Sequence, residues 1–201
     1  TAYEIRPRDW SSDVCSSDQP LFAGLDFGTS NSTLGVAGPQ TPAHLLPLEA
    51  ERTTIPTAIF FDFASDRMLF GRAAFAAYVA GIDGRLMRAL KSILGSSLGD
   101  ESVRIKRRVV PFLDIVGRFV AELKARAEAA ASRELTSVVV GRPVHFHDED
   151  PVIDRLAQDQ LESAVRAQGF ADIAFQFEPI AAPLDYERGA TREELCLVVD
   201  L

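Results

Sequence analysis

The second half of the chain alternates between strand and helix patterns, and this order is the strongest constraint on its fold. Apolar positions at helical spacing and β-branched runs define the elements. The predicted order is a helix at 111–133, a strand at 136–140, a helix opened by Asp150-Pro151 and closed by Gly169, a strand at 173–177, a helix at 179–188 and a strand at 195–201. Such alternation predicts an α/β layered domain.

The first half is predicted to consist mainly of strands, because its apolar runs are short and rich in β-branched and aromatic residues. The predicted elements are strands at 21–27, 33–37, 43–48 and 55–63, helices at 71–80 and 85–94, and a less distinct strand at 103–110. Strands therefore come first, and the α/β alternation follows them.

Charge and composition exclude several classes of function. The net charge is -8 at pH 7, whereas a nucleic-acid binder or a protein drawn to anionic lipid would show a basic face. No apolar run reaches the length of a membrane span. Cys15 and Cys196 are the only cysteines, too few for a disulfide framework, so we expect a cytoplasmic protein.

The first eighteen residues differ from the rest of the chain. They have no sustained apolar period, and residues 9–18 (DWSSDVCSSD) resemble a translated sequencing adapter, as do residues 1–5 (TAYEI). The plainer alternative is a disordered tail. We therefore predict that residues 1–20 are non-native or disordered and that the domain occupies residues 21–201.

A glycine turn dense in hydroxyl groups, within residues 24–32 (GLDFGTSNS), follows the first strand. Gly28 lets backbone N–H groups approach phosphate oxygens. Asp26 would repel a phosphate, so its useful partner is Mg²⁺ or a water bound to that ion. Additional hydrogen-bond donors come from Thr29, Ser30 and Asn31. The segment predicts a site for a nucleoside triphosphate; the alternative is a hairpin whose turn is merely rich in Gly and Ser. No Walker A and no G-x-G-x-x-G pattern occurs.

The motif D-x-G-T-S-N-S resembles the first phosphate loop of the actin, sugar-kinase and DnaK-type ATPases. Residues 138–146 (VVVGRPVHF), 177–186 (FEPIAAPLDY) and 197–201 (LVVDL) are similar to later segments of DnaK-type, heat-shock protein 70 chaperones, and most like their YegD-like branch. The resemblance implies an actin-like (ribonuclease H-like) ATPase fold, comprising the first lobe and the start of the second. It covers essentially all of residues 21–201.

The resemblance also implies roles for individual residues, with ATP and Mg²⁺ as the bound groups. Asp26 and Asp200 face Mg²⁺ through water, Glu178 orients the metal shell and the attacking water, and Lys91 stabilises charge on the γ-phosphate. The phosphates are held by Gly28, Thr29, Ser30 and Asn31.

Each of these roles has a structural alternative. Lys91 is otherwise a solvated surface residue, and Glu178 a negative charge at a helix N-terminus. Pro143 resembles a proline that couples nucleotide state to the rest of a chaperone, and is otherwise a strand terminator.

The implied function is ATP binding and hydrolysis by a divergent DnaK-type chaperone. Expected partners are ATP and ADP, with unfolded polypeptide or co-chaperones contacted through other regions, and neither nucleic acid nor membrane. Alternatives are a sugar kinase or an actin-like filament protein. Because residues 197–201 stop before a second phosphate loop, we expect this fragment to be inactive alone.

Overall fold

A computed structural model describes residues 20–96, 101–147, 150–187 and Arg192. The adapter-like segment, the predicted strand at 195–201 and Asp200 lie outside these residues. In chain order the strands and helices are β1 (Phe22–Phe27), β2 (Asn31–Gly38), β3 (Thr41–Leu45), β4 (Thr54–Pro56), β5 (Ala58–Asp62), β6 (Arg67–Phe70), α1 (Gly71–Val79), β7 (Gly84–Arg88), a 3-10 helix (Leu90–Ile93), β8 (Ser102–Ile105), β9 (Arg108–Pro111), α2 (Phe112–Ala131), β10 (Ser137–Arg142), α3 (Pro151–Arg166), β11 (Asp172–Phe177) and α4 (Glu178–Glu187).

Six strands form the main sheet, in the order β11-β10-β1-β2-β3 with β4 paired to β2. β1, β10 and β11 run parallel, and the β1–β2 and β2–β3 pairs are antiparallel. The register aligns Leu25, Val140 and Phe175 across the three parallel strands. The carboxyl ends of these strands therefore meet at one edge of the sheet, and the domain is a mixed α/β structure.

The main core lies between this sheet and α2. Side chains of β1 alternate between buried and exposed, and Leu25 and Phe27 point into the core. α2 buries a stripe at helical spacing that includes Ile115, Phe119 and Leu123. The rings of Phe27 and Phe119 have centroids 6.1 Å apart. Burying each such side chain contributes about 1.5–3 kcal/mol.

A smaller sheet, in the order β6-β5-β7, packs against α1. Ala58 and Phe60 of β5 are buried against Ala74 and Ala77 of α1. The alternate side chains of β5, such as Phe61, join the main core instead. β5 thus has apolar side chains on both faces and links the two layers. The separate hairpin β8–β9 leads into α2.

The predicted helix at 85–94 is wrong. Residues 84–88 form β7, in which Leu86 lies opposite Phe60 of β5. Ala89 adopts a left-handed φ of 54°, which ends the strand, and only Leu90–Ile93 is helical. Pairing with β5 outweighs local helix propensity here, because the partner strand satisfies the backbone groups of β7.

Other strand boundaries also differ from the prediction. The single strand predicted at 55–63 is interrupted at Thr57, and its two parts, β4 and β5, belong to different sheets. The predicted strand at 103–110 is the two-stranded hairpin β8–β9. β2 begins two residues earlier than predicted, at Asn31.

The other four predicted helices, at 71–80, 111–133, 150–169 and 179–188, are confirmed within a few residues. The start of α3 is explicit in the sequence, because Asp150 caps it by accepting hydrogen bonds from the backbone N–H of Val152 (2.8 Å) and Ile153 (3.3 Å). In the described part of the chain, no helix is long and apolar enough to cross a membrane.

Candidate functional site

The candidate site lies at the edge where the parallel strands end. Asp26 is the fifth residue of β1, and the glycine turn follows this strand. Glu178 follows the last residue of β11 and begins α4. In parallel sheets, ligands bind at the carboxyl ends of the strands. The sheet therefore brings the glycine turn and Glu178 to the same edge.

The turn between β1 and β2 is tight enough to require glycine. A Cβ at Gly28 would lie 2.2 Å from the backbone oxygen of Asn31, far inside van der Waals contact. The turn is short because β2 begins directly at Asn31, which pairs with Pro56. Asn31 is therefore the first strand residue rather than part of the turn. The side chains of Thr29, Ser30 and Asn31 are exposed.

Thr57 stabilises this turn through hydrogen bonds, a role that the sequence analysis does not predict. Its backbone N–H donates to the carbonyl of Ser30 (2.9 Å), and its hydroxyl donates to the carbonyl of Gly28 (2.8 Å). The same hydroxyl lies 2.8 Å from the buried hydroxyl of Ser32. Thr57 is itself buried. A small polar residue inside the apolar run at 55–63 is the only signal the sequence offers.

Asp26 lies on the face of the main sheet that α2 does not cover. In β1 the residues Gly24 and Asp26 are exposed, whereas their neighbours are buried. A Cβ at Gly24 would meet no atom within 4 Å, so this face is open at β1. Val139 on the adjacent strand β10 is also exposed, with 42% of its surface accessible. Asp26 is therefore accessible beside the glycine turn.

Lys91 and Glu178, separated by 87 positions in sequence, form an ion pair. The Nζ of Lys91 donates to Oε1 of Glu178 at 2.8 Å. The side chain of Lys91 is 12% exposed and that of Glu178 is 28% exposed, so the pair is partly shielded from water. Lys91 reaches it from the 3-10 helix, directly after the left-handed Ala89. The structure thus joins the two residues predicted as catalytic.

An aromatic contact connects this pair to a buried arginine. The Nζ of Lys91 lies 6.0 Å from the ring centroid of Phe146, and the Cζ of Arg142 lies 5.1 Å from the same centroid. Arg142 also lies over Phe177, at 5.3 Å. Cations stacked on rings gain electrostatic attraction and fix the ring position. Phe146 and Arg142 therefore help to position Lys91.

Arg142 is held by a carboxylate of α3. Its Nη2 donates to both oxygens of Asp154, at 2.9 and 3.1 Å, and its Nη1 donates to Gln158. The backbone N–H of Phe146 also donates to Asp154 (2.6 Å). Burial raises the pKa of Asp154, but hydrogen bonds from Arg142 and Phe146 outweigh that effect and leave the pKa below its ordinary value of 3.8. Asp154 is therefore an anion at neutral pH.

The sequence contains one indication of this network, the cation Arg142 at the end of an otherwise apolar strand. Its partner on α3 could not be identified by spacing. β10 ends at Arg142, directly before Pro143, which fits the strand-terminator alternative for that proline.

No cluster of three His, Cys, Asp or Glu side chains that could hold a metal ion occurs among residues 20–96, 101–147 and 150–187. Asp200, the second predicted metal residue, lies outside the described residues.

Comparisons with known proteins agree with the predicted family at a coarse level. No protein-family model matches the chain. A chaperone protein HscA homolog of Rickettsia typhi is 22% identical over 197 residues, covering 93% of this chain and 32% of the relative. The HscA homolog of Rickettsia rickettsii (strain Sheila Smith) is 25% identical over 194 residues, with 92% and 31% covered. That of Rickettsia akari is 25% identical over 193 residues, with 91% and 31% covered.

These relatives support an Hsp70-type chaperone family. The chain spans about a third of the length of the curated relatives it matches. The sugar-kinase and filament alternatives are not favoured.

Proposed function

We propose that this chain is the nucleotide-facing part of an ATPase domain in a divergent Hsp70-type chaperone, with an actin-like fold. The observation that carries the proposal is the Lys91–Glu178 ion pair, at 2.8 Å, beside the strand edge that ends in the glycine turn. The sequence resemblance assigns Lys91 and Glu178 to one site, and these two residues, 87 positions apart, are in contact. The alternative, that Lys91 is simply a solvated surface residue, does not explain its contact with Glu178.

The residues suit a triphosphate and its metal. Gly28 keeps the turn backbone open to phosphate oxygens, and Thr29, Ser30 and Asn31 supply further donors from exposed positions. Asp26 and Asp200 would hold Mg²⁺ through water, and the ion would neutralise phosphate charge. The accessible carboxylate of Asp26 next to the turn is the feature that fits such an ion.

Hydrolysis of ATP requires positioning of water and stabilisation of developing charge. Glu178 would orient the attacking water, and Lys91 would stabilise charge on the transferred phosphoryl group. Their mutual hydrogen bond holds both charged groups in place before substrate arrives. The reaction would take place in the protein that carries this chain; we propose that residues 21–201 alone bind ATP weakly and do not turn it over.

We also propose a branch of the family, an origin for the N-terminal segment, a cellular location and the partners. The segments VVVGRPVHF and FEPIAAPLDY support the YegD-like branch, and the likeness of residues 9–18 to a translated sequencing adapter supports a non-native origin for the N-terminal segment. Cys196 is the single cysteine of residues 21–201, and the lack of a disulfide framework supports a cytoplasmic location. Unfolded polypeptide and co-chaperones would be contacted through regions beyond residues 21–201.

The test is ATP turnover by the longest encoded protein that contains this chain. Asp26→Asn keeps the shape of the side chain but removes its charge, and we expect at least about a 100-fold loss in kcat. Asp159→Asn on the exposed side of α3 is the matched control and should leave kcat unchanged. Equal rates for Asp26→Asn and the unmodified protein would contradict the proposal.

A further inference from the structure

A cleft of about 560 Å³ lies between the β5–β6 hairpin, the β8–β9 turn and the first half of α2. We call it the hairpin cleft. None of the residues predicted for the nucleotide site lines it. Its volume is within the range of ordinary ligand pockets, about 300–1,000 Å³. The nucleotide proposal therefore leaves this cleft unexplained.

The hairpin cleft is basic, although the chain as a whole has a net charge of -8. The cations that line it are Arg67, Lys106, Arg107, Arg108 and Arg118, against two carboxylates, Asp62 and Asp66. Five cations and two carboxylates leave a net charge of three positive units. A concentration of one sign in a cleft focuses the field and attracts ligands of the opposite sign.

The two carboxylates are already engaged. Asp62 accepts hydrogen bonds within its own turn, from the hydroxyl (2.7 Å) and backbone N–H (3.1 Å) of Ser65, and these lower its pKa. Asp66 lies 3.5 Å from Arg108 and 3.8 Å from Lys106. Across the described ranges, no carboxylate lies within 4 Å of the three remaining cations, Arg67, Arg107 and Arg118. Their charge is available to a ligand.

The floor of the hairpin cleft is apolar. Phe61 and Ile105 are almost fully buried there, and Met68 packs against the main core from the same lining. The Nζ of Lys106 lies 5.9 Å from the ring centroid of Phe63 at the rim. An apolar floor with a cationic rim suits a ligand that carries both apolar and anionic groups.

The β8–β9 turn holds one of these cations in an unfavourable conformation. Lys106 and Arg107 form a two-residue turn between paired residues Ile105 and Arg108, and Lys106 has a left-handed φ of 54°. Gly, Asn or Asp usually occupy such positions. A long cationic side chain at this position costs stability that a glycine would not, and it places the charge at the rim of the cleft.

We propose that the hairpin cleft binds an acidic peptide segment of another protein that also carries apolar side chains, independently of nucleotide. Carboxylates would pair with Arg107 and Arg118 at the rim, and an apolar side chain would contact the floor. Guanidinium groups bind carboxylates bidentately. A small free anion would use only the rim and would leave the apolar floor without a function.

The experiment measures fluorescence anisotropy of a labelled short peptide of glutamate, leucine and phenylalanine, titrated with the 201-residue chain in the absence of nucleotide. We expect saturable binding that weakens as NaCl rises from about 50 to about 300 mM. The double variant Arg107→Glu with Arg118→Glu should bind at least about tenfold more weakly. Arg155→Glu, an exposed arginine of α3 outside the cleft, is the control and should bind normally.

Three results would overturn the proposal: no binding, equal binding by the double variant, or equal binding of a polyglutamate peptide that lacks apolar residues. Competition by inorganic tripolyphosphate as strong as that by the unlabelled peptide would likewise replace the peptide with a simple anion. Circular dichroism of both variants checks that they are folded. Because no nucleotide is present, failure here and failure of the ATPase proposal are distinguishable.

Discussion

The glycine turn and the Lys91–Glu178 pair belong to the same candidate site but are built in opposite ways. The turn consists of consecutive residues, and its shape depends on backbone contacts and on Thr57. The pair joins residues 87 positions apart, and its geometry depends on side chains from the 3-10 helix, the start of α4 and the loop after β10. One is a local structure, and the other is a product of the whole fold.

This difference predicts how each part fails. A change in the turn acts directly on the backbone geometry of the site and should lower stability and function together. A change around the pair should first cost stability, since the residues that position Lys91 also hold α3 against the main sheet. Substitutions that separate these two outcomes test the comparison.

The largest effect is expected from Gly28→Ala in the turn. The added Cβ would meet the carbonyl of Asn31 at 2.2 Å, so the backbone must move. We expect a loss of about 3 kcal/mol in the free energy of unfolding and a fall in kcat of more than about 100-fold. Urea unfolding and ATP turnover measure the two effects.

Gly24→Ala is the matched control, two positions before Asp26 on the same strand. A Cβ there meets nothing within 4 Å, so the change in unfolding free energy should stay within about 0.5 kcal/mol. If both variants behave alike, the shape of the turn does not control function.

Asp154→Asn should give the next largest effect. It leaves the guanidinium of Arg142 buried beside a neutral partner, and we expect a loss of about 2–3 kcal/mol at neutral pH. The partial exposure of Asp154 keeps this below the cost of breaking a fully buried pair. The exposed Asp159→Asn on the same helix should be silent.

This effect has a defined pH dependence. The pKa of Asp154 is lower in the folded protein than its ordinary value of 3.8. Its stabilisation is therefore complete well above that value and is lost as the pH falls through the lower folded pKa. Urea unfolding at a series of pH values should show the difference between Asp154→Asn and the unmodified protein shrinking in acid. A difference that grows in acid would contradict the assignment.

The smallest stability effect is expected for the pair itself. Lys91→Met and Glu178→Gln, combined in a double-mutant cycle, should give a coupling of about 1 kcal/mol, because both side chains retain some contact with water. ATP turnover should nevertheless fall in each single variant, since each retains only one of the two charged groups. If the changes in unfolding free energy of the two single variants add up to that of the double variant, the ion pair does not stabilise the fold.

The sequence allowed prediction of elements whose signals are local. The start of α3 follows from Asp150 before a proline, and the turn follows from Gly28 after a buried strand. The helix predicted at 85–94 is wrong because Leu86 and its neighbours pair with β5, and this pairing outweighs their helix propensity. Pairing partners of this kind are not contained in local periodicity.

The same limit applied to the site. Lys91 and Glu178 were each assigned by resemblance, but their contact depends on β10–β11 register and on Phe146, which no spacing rule provides. Thr57 was missed because a threonine inside a β-branched run has no distinguishing pattern. Asp154 was missed because its partner Arg142 lies on a different element.

Hydrogen–deuterium exchange with and without Mg-ATP, in the longest encoded protein, tests most directly whether the turn and the pair form one nucleotide site. We expect nucleotide to slow exchange together in peptides covering Gly28–Asn31, Lys91 and Glu178, while the β8–β9 hairpin is unaffected. Protection confined to the turn or to the Lys91–Glu178 pair, or absent from both while ATP binds, would contradict a single nucleotide site.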